Sequence, residues 1–190
     1  DIGSDIDDAL SLAYLLSRSD VEIVGISTVS GAPEERAKLA SAITTFFGCD
    51  APICAGVAEP RAGVQRQPDV PQRVVLSRWP HGSATSELPV EAFMRNAIEA
   101  SPGQVVLLCI GPLTNAARLV EAYPDALPKL SRLVCMSGRF SNYQDMARIP
   151  EWNVLCDIEA AQICYQAAAE LETLLVSSDV TRRLSVDKPI

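Results

Sequence analysis

Val105-Val106-Leu107-Leu108-Cys109-Ile110, followed directly by Gly111-Pro112-Leu113-Thr114-Asn115, is the passage that decides the fold. An unbroken apolar run, lacking the polar alternation of a half-exposed strand, describes a strand covered on both faces, as in parallel sheets flanked by helices. Gly111-Pro112 turns the chain, and Leu113 to Tyr123 carries helical spacing. Downstream, Leu130 to Met136 is a second buried strand ending at Ser137-Gly138, a helix covers about Asp157 to Leu171, and Leu174 to Ser178 is the last clear strand. Upstream lie a helix over Val90 to Ala100, a short strand over Pro52 to Val57, and a β-branched strand over Val21 to Val29. Between those strands a helix runs from Pro33 to Phe47, with Ala37, Leu39, Ala40, Ile43 and Phe46 on its inner face and Gly48 as its stop. The first helix covers about Ile6 to Ser17, and the proline-rich stretch Glu59 to Leu88 reads as a long surface excursion. Strand and helix alternate, and no hairpin dipeptide joins two strands. The sequence predicts the α/β class: an open, mostly parallel sheet with helices on both faces and ligands at the carboxyl ends of its strands.

The 190 residues fit one domain, 1–190, and 48% apolar with 21% charged residues suits a globule with a substantial core. A net charge of −8 argues against a nucleic-acid groove or an anionic membrane as partner and favours a site that attracts a cation. No apolar run is long enough to span a bilayer. Cys49, Cys54, Cys109, Cys135, Cys156 and Cys164 contain no C-x-x-C pair and read as small buried hydrophobes in a reducing, cytoplasmic compartment. His81 is the only histidine, so a zinc site built on several histidines is excluded within these residues. Asp1 falls where a first strand should be finishing, and Ser185 to Ile190 forms no terminating element. The expectation is a piece of a longer chain, lacking a first strand and a C-terminal part.

The opening Asp1-Ile2-Gly3-Ser4-Asp5-Ile6-Asp7-Asp8 places four carboxylates beside the start of a helix. Two like charges about 4 Å apart repel by roughly 4 kcal/mol at an effective dielectric near 20. The positive end of the helix relieves part of this. One or two of these aspartates could simply cap the helix and face water; all four together point to a metal or polyol site, since a hard divalent cation takes several oxygens at once. Other polar clusters also follow strands: Ser30-Gly31, Gly111 to Asn115, Ser137-Gly138 and Ser178-Asp179. All of them therefore fall on one rim of the expected sheet.

The opening DIGSDIDDA, with TVSG at Thr28 to Gly31, GPLTN at Gly111 to Asn115 and EWN at Glu151 to Asn153 followed by DIEAA, resembles the inosine-uridine type nucleoside hydrolases. The resemblance covers nearly the whole chain. It implies the Rossmann-like fold of that family and a calcium-dependent N-ribohydrolase, acting on a small nucleoside and assembled as a homo-oligomer, a dimer or tetramer. Asp1 matches the residue that binds calcium and serves as general base on the calcium-bound water. Asp8 matches a second calcium ligand, the Ile110 carbonyl a third, and Asp7 the holder of the ribose hydroxyls. Glu151 and Asn153 match the pair that grips the sugar, and Asn142 is a candidate for its 5′ end. His81 resembles a position near the nucleobase. The pattern also departs from the family. Two extra residues separate Asp1 from the acidic pair, which makes Asp5 a rival for one role, metal ligation included. Ala32 replaces an amide or acid near the sugar, and the C-terminal His-Asp segment is absent.

Plainer readings stand beside several of these. His81 could be a solvated loop residue, Asn115 could stabilise its own turn, Trp152 could be core rather than a stacking platform, and Thr28 reads as a buried strand residue. Glu151 and Asn153 share a side if their segment is extended. A non-catalytic ribose- or calcium-binding relative is the alternative to the hydrolase. A phosphotransferase with Asp1 as nucleophile would need an acid where Gly3 stands.

Overall fold

Five short strands form two all-parallel ladders in the computed structural model, which describes residues 1–140 and 150–184. β1 (Ile26–Thr28) pairs with β2 (Ile53–Ala55), with Ile26 opposite Ile53. β3 (Val106–Cys109), β4 (Arg132–Met136) and β5 (Thr173–Val176) lie side by side in that order, with Cys109 opposite Cys135 and Cys135 opposite Leu175. Parallel neighbours need crossover connections. Helix α2 (Pro33–Phe47) joins β1 to β2, α4 (Thr114–Ala122) joins β3 to β4, and α5 (Trp152–Cys156) and α6 (Ile158–Ala168) lie between β4 and β5. Before β1 comes α1 (Asp7–Leu16), α3 (Val90–Ala100) links the two ladders, and α7 (Ser178–Thr181) follows β5. This is the open, parallel α/β arrangement that the alternation of elements predicts.

Three apolar clusters hold the layers together. Ile2, Leu12, Leu39, Ala40, Ile53 and Val70 pack α1 and α2 against the first ladder. Phe93, Met94 and Ile98 of α3 meet Cys54, Leu119, Leu127 and Leu130. Leu113, Ala116, Ala117, Ala160, Ala161 and Cys164 cover Leu133 and Cys135, placing α4 and α6 on one face of the second ladder. Burial of a leucine such as Leu113 is worth about 2 kcal/mol, which fixes the start of α4 directly beneath the Gly111-Pro112 turn.

Several sequence expectations change. Only Ile26–Thr28 of the Val21–Val29 run enters a ladder. Pairing begins where the Ile26 N–H meets the Pro52 carbonyl at 2.9 Å, and Pro52 has no N–H with which to carry it further back. β3 is covered on one face, not both: Val106 and Leu108 are 51% and 40% exposed, because no described helix lies over that side. Phe46 is 83% exposed rather than inward, and its ring meets that of Phe47 edge-on at the end of α2. The Glu59–Leu88 excursion contains a 3-10 helix, Pro71–Ser77, and Val70 plugs it into the core. Thr28 is buried as expected, its hydroxyl donating to the Pro33 carbonyl at 2.7 Å.

Asn115 does not stabilise its own turn. Its Oδ1 accepts from the Val57 N–H at 3.0 Å and its Nδ2 donates to the Thr28 carbonyl at 2.9 Å. The buried side-chain amide thus ties the first turn of α4, which follows β3 of the second ladder, to the strand ends of the first.

Candidate active site

The rim predicted from the strand ends is present. Ser30 and Gly31, beyond β1, donate to the carbonyls of Val57 and Ala58 beyond β2, each at 2.8 Å. The Asn153 side chain donates to the Ile110 carbonyl at 3.0 Å and to the Met136 carbonyl at 3.1 Å, bridging the ends of β3 and β4. Ser178 N–H donates to the Gly138 carbonyl at 3.0 Å, bringing in the end of β5.

The acidic turn folds over this rim. A β-carbon on Gly111 would lie 2.7 Å from Asp1 Oδ1, so the Asp1 carboxylate rests against the residue that follows Ile110, and only glycine admits it. Asp8, in the first turn of α1, is buried, and its Oδ2 lies 3.4 Å from the Asp1 nitrogen. Burial pushes the Asp8 carboxyl above the usual aspartate range, and the Asp7 charge pushes it the same way. Asp7 is exposed at the start of α1, and Asp5 is exposed in the turn before it. Asp8 thus approaches the main chain of Asp1, while Asp5 and Asp7 face outward.

Among the described residues, no three His, Cys, Asp or Glu side chains gather into a metal-holding group. What the turn offers is the Asp1 carboxylate against Gly111, the Asp8 carboxylate near the Asp1 main chain, and the Ile110 carbonyl one residue back, all hard oxygen donors. A buried carboxylate whose charge is disfavoured by its surroundings is a place where an added cation lowers the energy, and these donors fit a hard divalent ion. They are fewer than the six to eight oxygens such an ion takes.

Glu151 and Asn153 are both buried, by a different geometry from the one expected. Only Glu151 is extended; Trp152 begins the α5 helix. Glu151 caps that helix, its Oε1 accepting from Asn153 N–H at 2.8 Å and its Oε2 from Val154 N–H at 3.0 Å and Gly138 N–H at 3.1 Å. Asn153 then turns inward while Trp152, 47% exposed, faces out of the core. His81 is exposed, with Nδ1 2.8 Å from the Trp79 carbonyl. It lines a groove with Glu35, Lys38 and Arg73 that none of the acidic-turn residues lines. Asn142 lies outside the described residues. All six cysteines are free, with Cys49 and Cys109 partly exposed and the other four buried.

Two residues at the site escaped the sequence reading. Asp157 is buried, with Oδ2 accepting from the Thr114 hydroxyl at 2.7 Å and the Arg61 N–H at 3.0 Å, and Oδ1 from the Ala160 N–H at 3.0 Å. It locks α6 to the turn after β3. Arg36 is wholly buried beneath the acidic turn. The available signal for it was a charge on the same helical stripe as Ala37, Ala40 and Ile43.

The model of the family described as inosine-uridine preferring nucleoside hydrolase matches residues 1–189. Uridine nucleosidase 1 of Arabidopsis thaliana is 26% identical over 190 residues, which cover 96% of this chain and 56% of that protein. The non-specific ribonucleoside hydrolase RihC of Escherichia coli O127:H6 (strain E2348/69 / EPEC) is 27% identical over 184 residues, covering 94% of this chain and 60% of its own. This chain therefore spans little more than half the length of these relatives. Among solved structures, the plant nucleoside hydrolase PpNRh1 superposes with a TM-score of 0.81 at 20% identity, over 96% of this chain and 59% of that one, and so shares the fold.

Proposed function

Since the chain belongs to the inosine-uridine preferring nucleoside hydrolase family, we propose that its acidic rim hydrolyses the N-glycosidic bond of ribonucleosides with calcium as cofactor. The observation that carries this is the meeting of the Asp1 carboxylate with the Ile110-Gly111 turn beside buried Asp8. Asp1, Asp8 and the Ile110 carbonyl would hold the ion, and when bound it would supply a Lewis acid that makes water more acidic. Asp1 takes a proton from the attacking water as the new C–O bond forms at the anomeric carbon and the C–N bond to the base breaks. Asp7, exposed beside Asp8, accepts hydrogen bonds from the ribose hydroxyls. Asn153 fixes the Ile110 carbonyl from behind, and Glu151 holds Asn153 in place while shaping the sugar-facing wall. The carboxylates favour the positive charge that develops on the sugar in an oxocarbenium-like transition state. The departing base takes its proton from solvent, and Asp1 returns the proton it took from water to solvent, so that nucleoside and water give sugar and free base.

The test is release of free base and reducing sugar from uridine and inosine by the full-length protein, with calcium and after chelation. Asp1→Asn keeps the shape of the side chain and removes the base, and turnover should drop by about 100-fold or more. Turnover by the variant at the wild-type rate would exclude Asp1 from the role.

A further inference from the structure

The geometry points to Arg36 as the positioning residue of the acidic turn: its guanidinium sets the place of Asp1 and ties the turn to the long excursion that walls the site. Its Nη1 donates to the carbonyls of Asp1 at 2.6 Å and Ile2 at 2.9 Å, and to Ser4 Oγ at 3.0 Å. Its Nη2 donates to the carbonyls of Gln67 at 2.9 Å and Asp69 at 3.2 Å, and its Nε to the Ser30 carbonyl at 2.7 Å. Three separate segments thus converge on one planar group. No neutral side chain could serve them, because only the guanidinium presents five N–H donors in a fixed fork.

What the charge touches is informative. Arg36 makes no ion pair among the described residues, although four aspartates stand in the turn above it. Every acceptor but Ser4 is a main-chain carbonyl. Arg36 therefore consumes none of the acidic side chains, while it fixes the backbone that carries them. Burial lowers the Arg36 pKa and the Asp8 charge opposes that, so the two groups feel each other without touching. Ser30, which Nε holds, has a positive φ of 74°, a strained conformation for a residue with a side chain. The Gln72 N–H closes the same assembly onto the Gly3 carbonyl at 3.1 Å. Without the guanidinium the turn would lose the contacts that hold the main chain of Asp1 beside Gly111, and its own carboxylates would push it open.

This inference rests on the proposed reading of the site, and its test keeps the two apart. Calcium chloride alone is titrated by calorimetry into full-length wild type, Arg36→Lys and Arg36→Met. Steady-state kinetics with uridine and inosine and hydrogen exchange over residues 1–8 and 65–73 accompany the titration. Arg36→Lys keeps the charge but loses the fork. It should weaken calcium binding by about 10-fold or more and lower kcat more than it raises KM, with faster exchange in both segments. Ser4→Ala removes one contact without burying anything new, and should give a smaller change of the same kind even if Arg36→Met fails to fold. Calcium affinity and kcat at wild-type values in folded Arg36→Lys would overturn the assignment. A wild-type protein that binds calcium but releases no base would overturn the hydrolase reading, and the calcium titrations would still decide the role of Arg36.

Discussion

Removing the Asn115 amide should weaken the seam between the two ladders, and its cost can be worked from the structure. In Asn115→Ala the Val57 N–H loses its acceptor at 3.0 Å, and the Thr28 carbonyl loses a donor at 2.9 Å but keeps the Gly56 N–H at 3.0 Å. An orphaned donor costs about 1–3 kcal/mol and a hydrogen bond whose acceptor stays satisfied about 1 kcal/mol, so the variant should lose roughly 3 kcal/mol. For a domain of this size that corresponds to a fall in Tm of about 6–12 °C. Asn115→Asp separates this account from simple loss of volume. One carboxylate oxygen can still accept from Val57, but the other would face the Thr28 carbonyl, oxygen against oxygen, so Asp should be no better than Ala. Gly56→Ala attacks the same seam from the other side, because its β-carbon would lie 2.4 Å from Asn115 Nδ2 and 2.3 Å from the Thr28 oxygen. Urea unfolding of the three variants and of the Asn115→Ala/Gly56→Ala pair is the assay. The pair should be less destabilised than the two single changes added together, since one removes part of the clash made by the other. A loss below about 0.5 kcal/mol for Asn115→Ala, the scale of an ordinary surface change, would refute the bridging role.

Gly111→Ala should displace the Asp1 carboxylate, since the added carbon would sit 2.7 Å from Oδ1 and 2.9 Å from the Asp1 nitrogen; calorimetry should show calcium binding weakened while circular dichroism stays native. Because burial raises the Asp8 carboxyl, it takes up a proton at a higher pH than an ordinary aspartate, near 3.9. Calcium affinity should therefore start to fall, as pH is lowered, while exposed aspartates are still ionised; affinity constant down to their range would contradict the burial. Cys164 and Cys156 are pushed up to about 12 and about 11 by burial. The folded state thus favours their neutral thiols, a contribution complete below the ordinary thiol pKa of 9.0 and lost as pH rises through the folded values. Denaturant midpoints should fall over that alkaline window, less so in Cys164→Ala, and Cys49 should react with a thiol reagent at neutral pH well before the buried thiols.

The order of elements was readable because each carries its own period, and the ends of elements were readable where Gly48, Pro112 or Gly138 punctuated them. Coverage was not, since Val106 and Leu108 reveal that they are apolar but not whether a helix lies over them. Trp152 shows the same limit: its exposure follows from Glu151 acting as a helix cap, a local choice that the extended reading of EWN missed. The meeting of Asp1 with the Ile110-Gly111 turn was legible for a topological reason, that parallel strands put their carboxyl ends on one rim.

Arg36 was hidden for a deeper reason. A charge on an apolar helical stripe announces that something must satisfy it, and four aspartates close to the start of the chain look like the obvious partners. The guanidinium instead takes carbonyls, that of nearby Ser30 and four others more than thirty residues away along the chain in either direction. Main-chain acceptors are the same at every position, so no residue pattern marks which of them will be used. If the site holds a cation and a sugar as proposed, support of this kind suits it, because an arginine paired with Asp1 or Asp8 would occupy the oxygens that the proposed chemistry requires. The support of such a site is written in the backbone and its ligands in the side chains, and only the second is visible as sequence.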